Sequence, residues 1–221
     1  MPGMPVEGRR DRRKRLTRAS ISECGWRLFA ARGFDAVTVA EIAEAADVAV
    51  GTVFNYFPSK EAILFDRAEE LADDMAKTVR ERPPGQGVVA AFQDWHDRTI
   101  GFLTTPTAGD RTREFLRVVA DSAALRAYER ELDETYRRTL VAVLADIRHG
   151  RTDPTPILLA GQLVVLHRTV ADLARDLILA DTPPRTLRAR VAAATEAGFA
   201  LIADHAHSLG STDPRTRGHS A

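Results

Sequence analysis

Apolar residues recur three and four positions apart along most of the chain, which is the spacing of an amphipathic α-helix. The segment 157–179 is the most apolar, and its stripe consists of Leu159, Leu163, Leu166, Val170 and Leu173. The same periodicity predicts helices over 59–80, 87–103, 112–121, 124–149 and 185–207. Clusters of proline and glycine separate these segments, and none of them alternates in the manner of a β-strand. The pattern therefore predicts an all-α protein.

The segment 38–57 contains two short helices joined by a tight turn. Thr38 and Glu41 have the spacing of a capping box, which begins a helix by satisfying two backbone N–H groups. Residues 47–49 are predicted to form the turn, and residues 50–57 the second helix. Pro58 ends that helix, and Ser59 can cap the next one. This is the layout of a helix-turn-helix, whose second helix enters the major groove of DNA.

The surrounding residues carry a resemblance to a known family over 13–66, about a quarter of the chain. They occur in the order Thr17-Arg18, Ile21, Leu28-Phe29, Gly33-Phe34, Thr38, Glu41-Ile42-Ala43, Val48, Gly51-Thr52, Tyr56-Phe57, Ser59-Lys60-Glu61 and Ile63-Leu64. In this order they resemble the DNA-binding segment of the TetR/AcrR family of bacterial transcriptional regulators. The resemblance implies about nine helices, of which the first three bind DNA. It also implies a homodimer held by a four-helix interface from the last two helices.

We expect four regions along the chain. They are a basic N-terminal arm over 1–12, a helix-turn-helix domain over 13–58, a helical effector-binding and dimerisation domain over 59–209, and a disordered tail over 210–221. The last two helices are rich in apolar and small residues, which suits a dimer interface. Burial of these helices within one subunit remains an alternative.

The resemblance implies which residues contact a double-stranded operator. Backbone phosphates are expected to meet Thr38, Thr52, Tyr56 and Lys60, because hydroxyl groups and a mobile ammonium suit phosphate oxygens. Base edges are expected to meet Ala40, Val50, Gly51 and Asn55. The alternative for Tyr56 is a packing aromatic, and for Lys60 it is a surface lysine at a helix start.

Three positions depart from the pattern of the family. Asp47 stands where glycine is frequent, and aspartate still tolerates left-handed turn geometry. Ala49 replaces a frequent serine, so the second helix loses a side-chain cap worth about 1 kcal/mol. Phe54 replaces a frequent tyrosine and lacks its hydroxyl. These differences bear on affinity for DNA and leave the fold intact.

Charge is distributed unevenly, although the formal net charge of the 221 residues is zero. Residues 9–32 are strongly basic and residues 61–74 are acidic. The basic run is either a solvated tail or, beside a helix-turn-helix, a surface that follows phosphates. The single cysteine, Cys24, lies on an apolar helix face and excludes an intrachain disulfide. No run of about 18 apolar residues and no signal peptide is evident, so we expect a cytoplasmic protein without a membrane span.

No catalytic, metal-binding or cofactor-binding motif is evident, so we expect neither an enzyme nor a cofactor. The effector is expected to be a small, largely apolar molecule, with pocket candidates Phe92, Trp95, Phe102, Phe115, Tyr128, Tyr136 and His167. One of His167 and Arg168 can anchor an anionic or polar effector in this pocket; the alternative is a buried pair that carboxylates satisfy, or a pair that faces the dimer rim. The resemblance thus implies a DNA-binding transcriptional regulator, a ligand-responsive repressor that releases its operator when the effector binds the C-terminal domain. The alternative function is that of a cytoplasmic all-α enzyme or small-molecule-binding protein without sequence-specific DNA binding.

Overall fold

The computed structural model describes residues 8–105, 109–148 and 154–210, and for Arg148 and residues 204–210 only the backbone. Within these residues the chain forms ten α-helices and no strand. They are α1 Arg9–Arg32, α2 Val39–Ala45, α3 Val50–Tyr56, α4 Lys60–Leu64, α5 Ala68–Arg80, α6 Val88–Thr104, α7 Gly109–Asp121, α8 Ala123–Arg148, α9 Thr155–Leu179 and α10 Pro184–Gly210. The all-α prediction is confirmed. The tail predicted beyond Gly210 lies outside the described residues.

The chain divides into two compact units. The first consists of Met1–Glu69 with Glu114–Arg130, and the second of Glu70–Arg113 with Glu131–Ala221. The sequence boundary at residue 58 therefore does not coincide with the edge of the first unit, which also takes in α4 and parts of α7 and α8. Residues 9–12 of the expected arm are the first turn of α1.

The first unit has a core in which α1 to α4 pack together. Fully buried side chains come from each of these helices and from the loop after α1, among them Ile21, Phe29, Phe34, Ile42, Val53 and Ile63. Phe65 contributes an aromatic layer, with its ring 5.8 Å from Phe115 and 5.6 Å from Tyr128. This packing supports short helices that would be marginal on their own.

The single helix predicted over 59–80 is wrong. The structure has α4 and α5 with a break at residues 65–67, and Phe65 leaves helical geometry at φ −96° and ψ 42°. Partners from α1 hold this break: Arg18 donates to the Asp66 carbonyl at 3.0 Å, and Ser22 Oγ donates to Asp66 Oδ2 at 2.6 Å. Arg18 thus satisfies a carbonyl that a continuous helix would have used, and Ser22 holds the Asp66 side chain. Periodicity within the segment cannot reveal either partner.

The second unit is a helical bundle around a largely apolar core. Its fully buried side chains include Met75, Val79, Phe92, Trp95, Leu140 and Leu163. Helices α9 and α10 approach closely at Gly198, where an added Cβ would lie 2.1 Å from Leu166 Cδ1. An alanine at this crossing would therefore require the Leu166 side chain to shift.

Helix α9 is long and apolar enough to cross a membrane by length and composition alone. The sequence expectation concerned an uninterrupted run of about 18 apolar residues, and α9 contains none, because Gln162, Arg168 and Asp172 interrupt it. In the structure α9 packs on α6 and α10, and Arg168 on α9 forms a bidentate ion pair with Asp133 at 2.9–3.1 Å. Such packing also occurs in the core helices of soluble proteins, so hydropathy alone does not indicate a span.

Candidate nucleic-acid interface

The capping box predicted at the start of α2 is confirmed. Thr38 Oγ1 accepts from the Glu41 N–H at 3.2 Å, and Glu41 Oε2 accepts from the Thr38 N–H at 2.7 Å. The backbone hydrogen bond from Thr38, followed by the hydrogen bond from Arg32, lowers the pKa of Glu41 to about 2. The carboxylate is therefore ionised at neutral pH and fixes the first turn of α2 beside Arg32.

The turn between α2 and α3 also follows the prediction. Asp47 has φ 52°, the left-handed geometry that aspartate tolerates. The Val48 N–H then donates to the Ala43 carbonyl at 3.0 Å, which closes the turn. Ala49 caps α3 without any side-chain hydrogen bond, as the sequence predicted. The turn is thus held by the backbone and by the packing of Val53 beneath it.

Helix α3 presents one face to solvent. Val50 is 42% exposed and Phe54 is 51% exposed, and Gly51 and Asn55 are exposed beside them. An added Cβ at Gly51 would meet nothing within 4 Å, so packing inside the chain does not require glycine there. This face combines the apolar side chains of Val50 and Phe54 with the amide of Asn55 and the uncovered backbone at Gly51. Such groups can contact base edges and thymine methyl groups.

Three more of the expected contact residues lie around this face. Ala40 and Thr38 are exposed on and before α2, and Thr52 is half-buried on α3. The Thr38 hydroxyl also lies 2.8 Å from Glu41 Oε2, so it is engaged within the capping box.

Sequence reasoning considered Phe54 only as the loss of a hydroxyl and missed its exposed ring. The signal was available, because Phe54 follows Val53 by one position and must leave the buried side of α3.

Lys60 does not have the mobility expected from the sequence. Its Nζ donates to the Phe34 carbonyl at 3.0 Å and to the Val37 carbonyl at 2.9 Å. It also lies 4.1 Å from the centre of the Phe34 ring. The ammonium therefore ties the start of α4 to the loop between α1 and α2, and most of its donor capacity is used inside the unit.

Arg18 links the end of α3 to the break after α4. Its guanidinium donates to the Tyr56 carbonyl at 2.7 Å and to the Asp66 carbonyl at 3.0 Å, and it lies 4.3 Å from the centre of the Phe57 ring. Tyr56 itself is half-buried against the core of the first unit. The sequence named Arg18 only as part of the family resemblance, and its role as a clamp depends on contacts 38 and 48 residues away along the chain.

The start of α1 carries an exposed basic surface. It consists of Arg9, Arg10, Arg12, Arg13, Lys14 and Arg15, with Asp11 as the one acid among them. All seven side chains are exposed. A regular helix holds these charges in a fixed array, so this surface has the chemistry needed to follow phosphates.

The structure does not bring the seven pocket candidates together. Four of them, Phe92, Trp95, Tyr136 and His167, pack in one aromatic cluster of the second unit. Phe115 and Tyr128 belong to the first unit, where both contact Phe65. Phe102 is 63% exposed. The structure therefore places three of the seven outside this aromatic cluster, because aromatic residue type does not specify which unit a helix segment joins.

His96 is a buried residue that the sequence analysis did not single out. Its Nδ1 lies 3.0 Å from His167 Nδ1, and its Nε2 lies 3.3 Å from Thr195 Oγ1. Burial lowers the pKa of His96 to about 4, and burial followed by the charges of His96 and Arg168 lowers that of His167 to about 3. Both imidazoles are thus neutral at pH 7. Arg168 pairs with Asp133, a partner within the second unit.

A cleft of about 370 Å³ opens between α6 and α10 in the second unit. It is lined by Gln93, Asp97, Ile100, Gly101, Thr104, Arg188, Val191, Ala192, Thr195 and Glu196. None of the seven predicted pocket residues lines it, although Thr195 connects it to His96. Among the described residues no group of three or more His, Cys, Asp or Glu side chains could hold a metal ion.

Comparison with known proteins identifies the helix-turn-helix. Residues 21–66 match the family model of bacterial regulatory proteins of the tetR family. MftR of Mycobacterium tuberculosis, assigned to transcriptional regulation of mycofactocin biosynthesis, is 30% identical over 157 residues, which are 67% of this chain and 74% of that protein. The repressor KstR of Mycolicibacterium smegmatis is 43% identical over 77 residues, which are 32% of this chain and 35% of that protein.

Solved structures share the overall fold. A TetR-family regulator from Streptomyces coelicolor has a TM-score of 0.56 at 18% identity and covers 91% of this chain and 99% of its own. SmeT, the repressor of a multidrug efflux pump of Stenotrophomonas maltophilia, has a TM-score of 0.53 at 16% identity over 83% and 89% of the two chains. With the family model and the extended match to MftR, the chain belongs to the tetR family of bacterial regulatory proteins and is a transcriptional regulator, not an enzyme.

Proposed function

We propose that the protein is a homodimeric repressor that places α3 in the major groove of a two-fold symmetric operator and releases it when a small molecule binds the second unit. The observation that carries this proposal is the exposed face of α3, which is held by a confirmed capping box and a left-handed turn. The exposed basic start of α1 supports it, because a cluster of positive charges on one helix attracts a polyanion such as DNA.

The contact residues divide into two groups. Val50, Gly51, Asn55 and Ala40 read base edges, and the exposed ring of Phe54 adds an apolar contact for thymine methyl groups or deoxyribose. Thr38, Thr52 and Tyr56 hold phosphates. Lys60 contributes chiefly by fixing the start of α4, because its two short hydrogen bonds hold it inside the unit.

Selection of bound fragments from the source genome tests the DNA-binding function. A repressor yields a small set of enriched sequences with two half-sites about one helical turn apart. An Asn55→Ala variant keeps the fold, because Asn55 is exposed, and yields an altered set. Glu44→Gln, on an exposed position of α2, is the matched control and leaves the set unchanged. Recovery of random fragments by the wild-type protein refutes sequence-specific binding.

The proposed domain assignment follows the expected regions, with one adjustment: the basic start of α1 is added to the DNA-binding region. Residues 13–58 bind DNA together with the basic start of α1, and residues 59–209 hold the effector and the dimer contact. Helices α5, α7 and α8 each contribute residues to both compact units. Of these, α5 follows the DNA-binding residues most directly along the chain, and we propose that effector binding reaches α3 through it. A regulator of transcription meets its operator in the cytoplasm, which is the location we infer.

The dimer is proposed to form through α9 and α10. Both helices leave large apolar side chains in solvent, with Leu158 54%, Val165 65% and Leu201 68% exposed. Exposed Ala193 and Ala197 on α10 would allow a second copy to come close. We expect sedimentation at micromolar concentration to give about twice the mass of one chain.

A charged substitution tests which surface forms the dimer. Val165→Glu places a carboxylate in the proposed interface and is expected to yield monomers. Phe102→Glu removes an equally exposed apolar side chain, 63% exposed on α6, and leaves the dimer intact. A monomeric wild-type protein contradicts this assignment. So does a wild-type dimer that Phe102→Glu, but not Val165→Glu, converts to monomers.

Release by an effector is the remaining part of the proposal. SmeT has been crystallised with triclosan, so a protein of this fold accommodates a small molecule. In the present chain the cleft between α6 and α10 offers a space of suitable size for such a molecule. An effector is expected to raise the dissociation constant of the operator complex in fluorescence anisotropy. A ligand that binds the protein without changing this constant is not an effector.

A further inference from the structure

We propose that the cleft between α6 and α10 binds a small organic cation, such as a primary amine with a compact apolar body. This inference deepens the proposed function by naming the class of effector, and only the regulatory consequence rests on that function. The amine would lie near the carboxylates of Asp97 and Glu196, with the Thr195 hydroxyl as a further acceptor and the apolar body against Ile100, Val191 and Ala192.

The size and lining of the cleft suit a small amphipathic ligand. Its volume of about 370 Å³ lies at the lower end of the roughly 300–1,000 Å³ typical of ligand pockets. Val191 and Ile100 are buried and provide an apolar wall, and Gly101 leaves open space beside them. Polar groups lie among these apolar residues, which is the combination that orients a ligand.

The charges in the cleft favour a cation. Asp97 and Glu196 supply two carboxylates, and Arg188 supplies one guanidinium. Within the described part of the chain none of these three side chains has a hydrogen bond or an ion pair. The cleft therefore has one negative charge in excess and no internal pair that would have to break before a ligand binds.

The neighbouring charges on α6 are already engaged. Asp94 accepts from Gln86 Nε2 at 2.7 Å, and Arg98 pairs with Asp74 at 3.4 Å and donates to Thr78 Oγ1 at 2.9 Å. Arg98 is thus held toward α5 and leaves Asp97 without a cationic neighbour from its own helix. Partial burial, followed by the charge of Asp94, raises the pKa of Asp97. The positive charge of a bound cation would favour the ionised carboxylate and so offset both influences.

Thr195 gives the cleft a directed acceptor. Its side chain is only 8% exposed, and its Oγ1 lies 3.3 Å from His96 Nε2. When the hydroxyl donates to Nε2, His96 carries its proton on Nδ1 and donates to His167 Nδ1 at 3.0 Å. The lone pairs of Oγ1 then remain available to an N–H group in the cleft. A neutral imidazole pair is needed for this chain of hydrogen bonds, and burial keeps both rings neutral at pH 7.

The test compares three probes that share a phenyl group and a short chain: 2-phenylethylamine, 2-phenylethanol and 3-phenylpropanoate. Saturation-transfer NMR titrations with the full chain at pH 7 and low salt give the three dissociation constants. We expect the amine to bind at least tenfold more tightly than the alcohol, and the carboxylate to bind most weakly. Equal affinities, a preference for the carboxylate, or no binding of the amine overturns the proposal.

Variants locate the site. Asp97→Asn with Glu196→Gln is expected to reduce the affinity for the amine to that of the alcohol, and both residues are exposed, so the fold tolerates the changes. Thr195→Val keeps the volume and is expected to weaken the amine severalfold. Asp73→Asn, an exposed acid on α5 outside the cleft, is the control. An amine preference that survives the double variant places the site elsewhere and refutes the assignment.

Operator binding is measured separately on the same samples. Failure of amine binding with intact operator binding overturns only this inference. Failure of operator binding with intact amine binding overturns the proposed repressor and leaves the cation site in place. If the amine binds and the operator affinity falls at least fivefold, the cleft is an effector site.

Discussion

The contacts of Lys60 lead to a prediction that separates a structural role from a role in DNA binding. We expect Lys60→Met to destabilise the protein while leaving the salt dependence of operator binding unchanged. Methionine keeps an apolar stem over the Phe34 ring but removes the ammonium that donates to the Phe34 and Val37 carbonyls. The carbonyls then lose their charged donor, and the start of α4 is no longer tied to the loop before α2.

The magnitude follows from these contacts. A hydrogen bond from a charged group contributes about 1.5–3 kcal/mol, and a cation–π contact at a partly exposed site about 0.5–1 kcal/mol. Lys60 is half-buried, so water can solvate the carbonyls in the variant and recover part of this energy. We therefore expect a loss of about 2 kcal/mol in the free energy of unfolding, which in a protein of this size lowers the Tm by roughly 4–8 °C.

Two measurements check the reasoning. Urea unfolding gives the change in stability, and fluorescence anisotropy over a salt series gives the slope of log affinity against log salt. A phosphate contact at Lys60 would contribute about 0.9 to this slope in each subunit. Arg10→Met, on the exposed basic surface of α1, serves as the comparison that is expected to change the slope without changing stability. A Lys60→Met protein of wild-type stability with a slope shallower by about 0.9 per subunit refutes the structural role.

Four further predictions concern other parts of the molecule. Asn55→Ala is expected to change which base is preferred, by about 1–3 kcal/mol at one position, whereas Tyr56→Phe weakens all operators alike; binding to single-base operator variants distinguishes them. Replacing Arg9, Arg10 and Arg12 by glutamine makes the salt slope shallower by roughly 1–3 per subunit with base preference intact, and no change would identify a solvated surface. Burial lowers the pKa values of His96 and His167 to about 4 and about 3 in the folded protein. Below about pH 6.5 the unfolded chain therefore binds more protons than the folded protein does. The contribution of the two histidines to the free energy of unfolding is complete above that pH and is lost as the pH drops toward 4. In a His96→Gln, His167→Asn variant we expect urea unfolding to show a shallower fall over that range, by up to about 1.4 kcal/mol per pH unit for each histidine. Gly198→Ala is expected to be less stable than Gly161→Ala by about 1–3 kcal/mol in unfolding experiments, because the new methyl group at position 198 forces Leu166 to move, whereas a Cβ at Gly161 on α9 meets nothing within 4 Å.

Local sequence determined the helix-turn-helix. The capping box at Thr38, the left-handed turn at Asp47 and the absence of a side-chain cap at Ala49 were all predicted and confirmed. Each depends on residues within four positions of one another, so the physical interactions that decide them are present in the segment itself. The helical periodicity of the remaining chain likewise predicted the all-α class, since an amphipathic stripe needs only its own residues to be recognised.

The tertiary structure decided the features that depend on distant partners. The break at residues 65–67 is held by Arg18 and Ser22 from α1, although the apolar spacing continues through it. Lys60 is engaged by carbonyls 23 and 26 residues earlier, and the His96–Thr195 contact joins residues 99 positions apart. Aromatic residues separated into two clusters because α7 and α8 each contribute to both compact units. A hydrogen bond or packing contact between distant residues depends on the folded path of the chain, which the residue types and spacing within one segment do not reveal.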